Sequence, residues 1–141
     1  SLNVFVVSFA YRNGIPRVAD LVFDVRFLRN PHYDPILQPQ TGLDPAVGAY
    51  IEDDADFTAF FERLTGLIEL LLPRYRHEGK NYLTIAIGCT GGRHRSVYSA
   101  EKLGAWLNER VPRIDVRHRE LPLKAPVVSA AAVMDRRKER P

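Results

Sequence analysis

The stretch Leu83-Thr84-Ile85-Ala86-Ile87-Gly88-Cys89-Thr90-Gly91-Gly92-Arg93-His94-Arg95-Ser96, with the amphipathic segment that follows it to about Arg110, decides the fold. Its first five residues form an apolar run of the length and composition of a strand buried on both faces. Gly88 to Arg95 reads as a tight loop, and the residues beyond it have helical spacing. A strand, loop and helix joined in this way aim backbone N–H groups and the positive end of a helix at one point. Arg93, His94 and Arg95 add cationic side chains there, so the unit predicts an oxyanion-binding loop at Gly88 to Ser96.

Outward from this unit the chain reads as α/β, with a mostly parallel central sheet of about four strands and helices on its faces. Leu2 to Phe9 is β-branched and aromatic and predicts a first, buried strand. Ala19 to Phe27 predicts a short second strand whose alternation puts Leu21, Phe23, Val25 and Phe27 on one face and Val22, Asp24 and Arg26 on the other. An acid and an arginine two apart on one face either pair with each other or both look into a pocket. Prolines 31, 35, 39 and 45, with Gly42 and Gly48, exclude a regular element from Leu28 to Val47. The apolar residues in that span predict an ordered wall, and Asp44-Pro45 reads as the N-cap and first residue of a short helix.

Phe57, Phe60, Phe61, Leu64, Leu67, Ile68 and Leu71 recur at helical spacing behind the acids Asp53, Asp54 and Asp56, which suit a helix N-terminus. This predicts a crossover helix that Pro73 ends or makes irregular. A second amphipathic helix follows the loop, and Arg113 to Arg119 alternates as a fourth strand with a basic exit. The domain reading is a folded body over residues 1–119 and a basic, poorly packed tail over residues 120–141, with a helix expected around Ala130.

Composition narrows the function. The 141 residues are 45% hydrophobic and 26% charged, an ordinary globular balance that fits one domain. No apolar run approaches the roughly 20 residues of a membrane span, and the start lacks the features of a signal peptide, so a cytoplasmic location is expected. Cys89 is the only cysteine, which excludes an internal disulfide and a cysteine-based zinc site. His94 and His118 are too isolated to suggest a metal centre. Residues 1–110 hold 12 Lys/Arg against 13 Asp/Glu, whereas residues 111–141 hold 8 against 4. The basicity is therefore terminal, as in a segment that contacts phosphate backbones or in a plain solvated tail.

Two chemistries fit the loop. Cys89, five residues and Arg95 reproduce the spacing of cysteine-dependent phosphatases, in which the loop N–H groups and an arginine fork hold a phosphoryl group for thiolate attack. Cys89 and Arg95 would then be catalytic, with Asp24 or Asp34 as the acid; against this, Gly88 stands where those enzymes usually carry histidine. The loop is not a nucleotide P-loop, because no lysine follows its second glycine.

The run Leu83 to Tyr98 closely resembles the carboxy-terminal domain of the RapZ family, the YvcJ-like nucleotide-binding or RNase adapter proteins. So do Ser8-Phe9, Asn13-Gly14-Ile15-Pro16, Asp24-Val25-Arg26-Phe27-Leu28, Asn30-Pro31-His32, Thr41-Gly42-Leu43-Asp44 and Arg117-His118-Arg119. The resemblance implies a bacterial, non-enzymatic regulatory domain that senses a phosphorylated amino sugar such as glucosamine-6-phosphate. It also implies binding of small RNA, contact with an endoribonuclease and regulatory proteins, and self-association. No cofactor is expected in this chain: ATP or GTP would belong to a separate amino-terminal P-loop domain outside these residues. Carried over by position, the phosphate falls on Thr90, Gly91, Gly92 and Arg95, with His32, Asp24, Arg26, Cys89, His94 and Ser96 around it. The RNA surface falls on Arg12, Arg93, His94, Arg117, His118 and Arg119. The chain departs from the family pattern where Glu120-Leu121-Pro122-Leu123 separates Arg119 from the next basic cluster, Arg136-Arg137-Lys138.

Overall fold

A computed structural model describes residues 1–123. Four strands, β1 (Asn3–Ala10), β2 (Leu21–Asp24), β3 (Tyr82–Cys89) and β4 (Arg113–His118), alternate with three helices, α1 (Pro45–Glu52), α2 (Ala55–His77) and α3 (Arg95–Asn108). The sheet order is β2-β3-β1-β4, and every pairing is parallel. The expected α/β class with a parallel four-stranded sheet is what the chain adopts. The Ala130 helix expected in the tail lies outside the described residues.

The core is built on one face of the sheet. Val4, Val6, Leu83, Ile85 and Ile87 from the two central strands cluster with Ile51, Leu64, Ile68, Leu72, Leu103 and Leu107 from the helices. Alternation turns Phe5, Val7, Asp115 and Arg117 to the other face, which these helices do not cover. The helices therefore sit on one face rather than on both. Phe5 and Tyr82 lie side by side on the uncovered face, with ring centroids 6.1 Å apart.

Three local features differ from the sequence expectation. Strand β2 stops at Asp24 because the Asp24 carboxylate accepts the Arg26 N–H (2.9 Å), turning the backbone out of the ladder. Helix α2 runs through Pro73 to His77. That proline is exposed, so solvent can reach the carbonyl it leaves without a partner. Leu67, expected on the buried face, is 43% exposed, and Leu72 takes the place in the core.

The expected helix start at Asp44-Pro45 is present, but the Asp44 side chain accepts from Thr41 N–H (2.8 Å) rather than capping the helix. Asp54 does cap α2, accepting from Asp56 N–H (2.9 Å).

The topology positions the site. Strands β1 and β3 are neighbours whose last residues, Ala10 and Cys89, are register partners. From β1 the chain leaves toward β2 on one side; from β3 it crosses to β4 on the other. Their carboxyl ends thus form a topological switch point, where diverging loops leave a crevice.

Candidate functional site

The crevice holds a cavity of about 270 Å³ lined by Arg12, Asn30, His32, Tyr33, Cys89, Thr90, Gly91, Arg93, His94 and Arg95. Three chain segments build it: the 3-10 turn Tyr11–Asn13 after β1, the 3-10 turn Pro31–Tyr33 in the proline-rich span, and the loop between β3 and α3. No carboxylate is among the described residues that line it, while three guanidinium groups are.

Arg95, the first residue of α3, is 4% exposed. Its Nη1 donates to the carbonyls of Arg26 (2.6 Å) and Leu28 (3.1 Å), and its Nη2 reaches the Thr90 hydroxyl (3.4 Å). Its Nε is a buried N–H with no partner. None of the ion pairs among the described residues includes Arg95. Asp24 feels the Arg95 charge but is paired with Arg26 instead; a buried cation without a directly paired anion is costly, and an anion in the cavity would offset that cost.

The loop backbone points the same way. The N–H groups of Gly91, Gly92, Arg93 and His94 find no acceptor among the described residues, and the positive end of α3 follows directly. Gly92 has φ of +69°, and a Cβ there would lie 2.5 Å from Glu120 Cγ and 2.9 Å from Ala10 N. Only glycine fits that conformation and that space.

Cys89 and Ser96 form a buried pair beneath the loop. The thiol donates to the Ser96 hydroxyl (3.1 Å), and Ser96 N–H points back to the sulfur (3.4 Å). Ser96 is fully buried and holds the loop's base rather than lining the cavity.

Asp24 and Arg26, expected in the pocket wall, are not among its lining residues. They form a bidentate pair, Nε to Oδ1 2.9 Å and Nη2 to Oδ2 2.6 Å, with the Arg26 guanidinium 3.9 Å from the centre of the Tyr11 ring. The Arg26 hydrogen bond holds the Asp24 carboxyl below its usual value. Of the two readings of this alternation, mutual pairing is the one the structure adopts. The acid required by the phosphatase reading is thus tied up, and Asp34 is also outside the lining; its carboxylate accepts from Ile36 and Leu37 N–H (2.9 and 3.2 Å).

The residues expected on a nucleic-acid rim divide into two groups. Arg12 is exposed at the cavity, with Nη1 3.3 Å from the Thr90 carbonyl, and Arg117 is exposed on the uncovered sheet face. The others are tied into the structure. Arg93 Nη2 donates to the carbonyls of Pro39 (3.2 Å) and Gln40 (3.4 Å), and His94 Nε2 donates to the Gln38 carbonyl (3.2 Å). Burial pushes the His94 imidazole below its ordinary pKa. The His118 ring, expected on the rim, is held between Ser8 Oγ (2.7 Å) and Glu101 Oε2 (2.6 Å). Arg119 donates to the Gly14 carbonyl (2.5 Å) and to Glu120 (3.2 Å).

Three residues at or beside the cavity were missed from sequence: Asn30 and Tyr33, which line it, and Glu120, which packs against Gly92 of the loop. Glu120, placed at the start of the tail, accepts from Ala10 N–H (3.0 Å) and the Asn13 amide (2.8 Å), so the folded body extends past Arg119. Burial raises its carboxyl pKa, but those bonds and Arg119 outweigh it and leave the value lowered. Tyr33 stands at the cavity with 80% of its surface exposed. Its place beside His32 in a polar loop was the available signal for it.

Among the described residues no three His, Cys, Asp or Glu side chains are grouped to hold a metal, and no helix is long and apolar enough to cross a membrane.

Fold and cavity together define a parallel α/β domain whose strand–loop–helix cavity sits at a switch point and lacks the lysine of a nucleotide P-loop. The chain belongs to the RapZ C-terminal domain family, whose model matches residues 2–122. It is 66% identical over 120 residues to a nucleotide-binding protein of Rhodospirillum rubrum, covering 85% of this chain and 38% of that protein. It is 56% identical over 141 residues to one of Granulibacter bethesdensis, covering 98% of this chain and 44% of the relative. A third such protein, from Symbiobacterium thermophilum, is 56% identical over 123 residues, covering 87% and 41%. The chain thus spans less than half the length of these relatives, over their carboxy-terminal part.

Proposed function

We infer that this is a regulatory domain whose cavity binds a phosphomonoester, with a phosphorylated amino sugar of the glucosamine-6-phosphate type as its metabolite. The observation that carries the reading is Arg95: a buried guanidinium with an unpartnered Nε, facing a loop of unpartnered N–H groups at the start of a helix. The phosphoryl group belongs on Thr90, Gly91, Gly92 and Arg95, and His32 supplies an exposed imidazole toward the sugar. Arg117, exposed on the open sheet face, and Arg12, exposed at the cavity and spending one N–H on the Thr90 carbonyl, are the cations available to small RNA. An endoribonuclease, other regulatory proteins and further copies of the chain are the partners this reading entails, and the cytoplasm is its location. ATP and GTP are assigned to no residue here.

The test is calorimetric titration with glucosamine-6-phosphate, glucose-6-phosphate and inorganic phosphate. Saturable binding that weakens in His32→Ala for the sugar phosphates, but not for inorganic phosphate, supports the reading. Arg95→Lys, which keeps the charge and loses the fork, should weaken all three. Absence of binding by any of them to the folded wild-type protein overturns it.

A further inference from the structure

We propose that the cavity and the ring at its lip form a site for a nucleoside 5′-phosphate, with the phosphoryl group in the loop and the base stacked on Tyr33. The proposal rests on the anion-binding reading above and adds the ligand class.

Four observations carry it. Tyr33 lines the cavity yet is 80% exposed, so its ring does not belong to the core. The backbone that carries it is nevertheless fixed. The turn Pro31–Tyr33 is closed by Tyr33 N–H to the Asn30 carbonyl (3.2 Å), Asp34 N–H to the Pro31 carbonyl (3.0 Å) and His32 N–H to the Asn30 side chain (3.1 Å). The ring also sits edge-on to His32, with centroids 5.5 Å apart and planes at 82°. An exposed aromatic on a fixed turn is a stacking platform, and stacking accepts any base.

The cavity's size and charge agree. At about 270 Å³ it falls below the roughly 300–1,000 Å³ of sites that enclose a drug-sized ligand, so a phosphoryl group and a sugar fit within it and a base stays outside. Its lining carries Arg12, Arg93 and Arg95 and no acid among the described residues, which suits a phosphate ester.

A free nucleotide and the 5′ end of an RNA share this chemistry, and the experiment separates them. Anisotropy is measured with 3′-labelled pentaadenylate bearing either a 5′-phosphate or a 5′-hydroxyl, with AMP and inorganic phosphate as competitors. The expected result is at least about tenfold tighter binding of the phosphorylated end, given that charge-assisted contacts dominate such sites. Tyr33→Ala should weaken that complex about 5- to 150-fold, the loss of one base–aromatic stack, and Tyr33→Phe should retain it. Inorganic phosphate should bind Tyr33→Ala as it binds wild type. Competition by AMP at concentrations similar to the phosphorylated oligomer identifies the free nucleotide as sufficient; much weaker competition identifies the RNA end.

Equal binding of the two oligomers, or a Tyr33→Ala variant that binds the phosphorylated one like wild type, overturns the proposal. If inorganic phosphate still binds in that case, the anion site stands without the nucleotide. If phosphate also fails to bind, both readings fall.

Discussion

Gly42→Ala tests whether the proline-rich wall is clamped to the loop as tightly as the geometry states. A Cβ at Gly42 would lie 2.5 Å from the His94 carbonyl oxygen, 2.5 Å from Tyr98 N and 2.8 Å from Val97 Cβ. The first two are backbone atoms of the first turn of α3, joined by the Tyr98 N–H to His94 carbonyl bond (3.0 Å), and cannot swing aside as a side chain could. The wall must retreat instead. That movement breaks the Gly42 N–H to Arg93 carbonyl bond (2.8 Å) and pulls on the Arg93 and His94 contacts to residues 38–40.

Overpacking costs about 1–3 kcal/mol, and the lost bond about 1 more, so a destabilisation of roughly 2–4 kcal/mol is expected. For a chain of this size that is a fall in Tm of roughly 6–20 °C. Urea and thermal unfolding followed by circular dichroism measure it, and the folded fraction should bind phosphate more weakly. Gly66→Ala is the matched control: Gly66 lies exposed within α2 with nothing within 4 Å of a Cβ. It should gain up to about 1 kcal/mol from helix propensity. A Gly42→Ala variant within about 0.5 kcal/mol of wild type, the ordinary scatter of surface substitutions, would refute the clamp.

Inorganic phosphate at a hundred times its Kd should stabilise the protein by about 2.7 kcal/mol, raising Tm by roughly 8–14 °C; the same concentration of chloride salt as counter-ion control should not. His94 gives a pH dependence. Its folded pKa is depressed by burial, so the unfolded chain binds the proton more readily, and its contribution to stability is present above the ordinary histidine value and lost as the pH falls below it. Melting temperatures at pH 7.5 and about pH 5.5 should converge in His94→Asn relative to wild type. Aryl phosphate assays should show no turnover by the wild type, because no acid lines the cavity among the described residues. Turnover that Cys89→Ser abolishes would restore the phosphatase reading.

Much of the scaffold could be read from local chemistry. The β-branched runs marked β1 and β3, the alternation of residues 113–119 marked β4, and Asp44-Pro45 and Asp54 marked helix starts, because each depends on neighbours a few residues away. What escaped depends on distant partners. His118 looked like one more basic rim residue because its two hydrogen-bond partners, Ser8 and Glu101, are remote in sequence. Asp24 and Arg26 were compatible with pairing or with a pocket, and what separates the two is the folded geometry, a bidentate pair seated over the Tyr11 ring and outside the cavity lining. Pro73 stops helices in general, yet an exposed proline near the last turn costs little when water reaches the freed carbonyl. That Gly92 packs against Glu120 was not visible from either residue alone.

That last contact explains how so small a cavity is held in shape by three irregular segments. Glu120 fastens the exit of β4 to Ala10 and Asn13, and so fixes the turn that carries Arg12. Arg12 reaches across to the Thr90 carbonyl, and Arg95 holds the far wall through the carbonyls of Arg26 and Leu28. Arg93, His94 and Gly42 bind the proline-rich span to the loop from the other side. Each tie crosses between segments rather than running within one, so the loop N–H groups are set in place before any anion arrives. Binding then costs little ordering entropy, and a phosphoryl group gains its contacts from a site that is already formed. The same ties mean that the basic exit at Arg117 to Arg119 and the anion loop share a wall at Glu120 and Gly92. A displacement of either segment by more than the slack in that contact must be felt by the other.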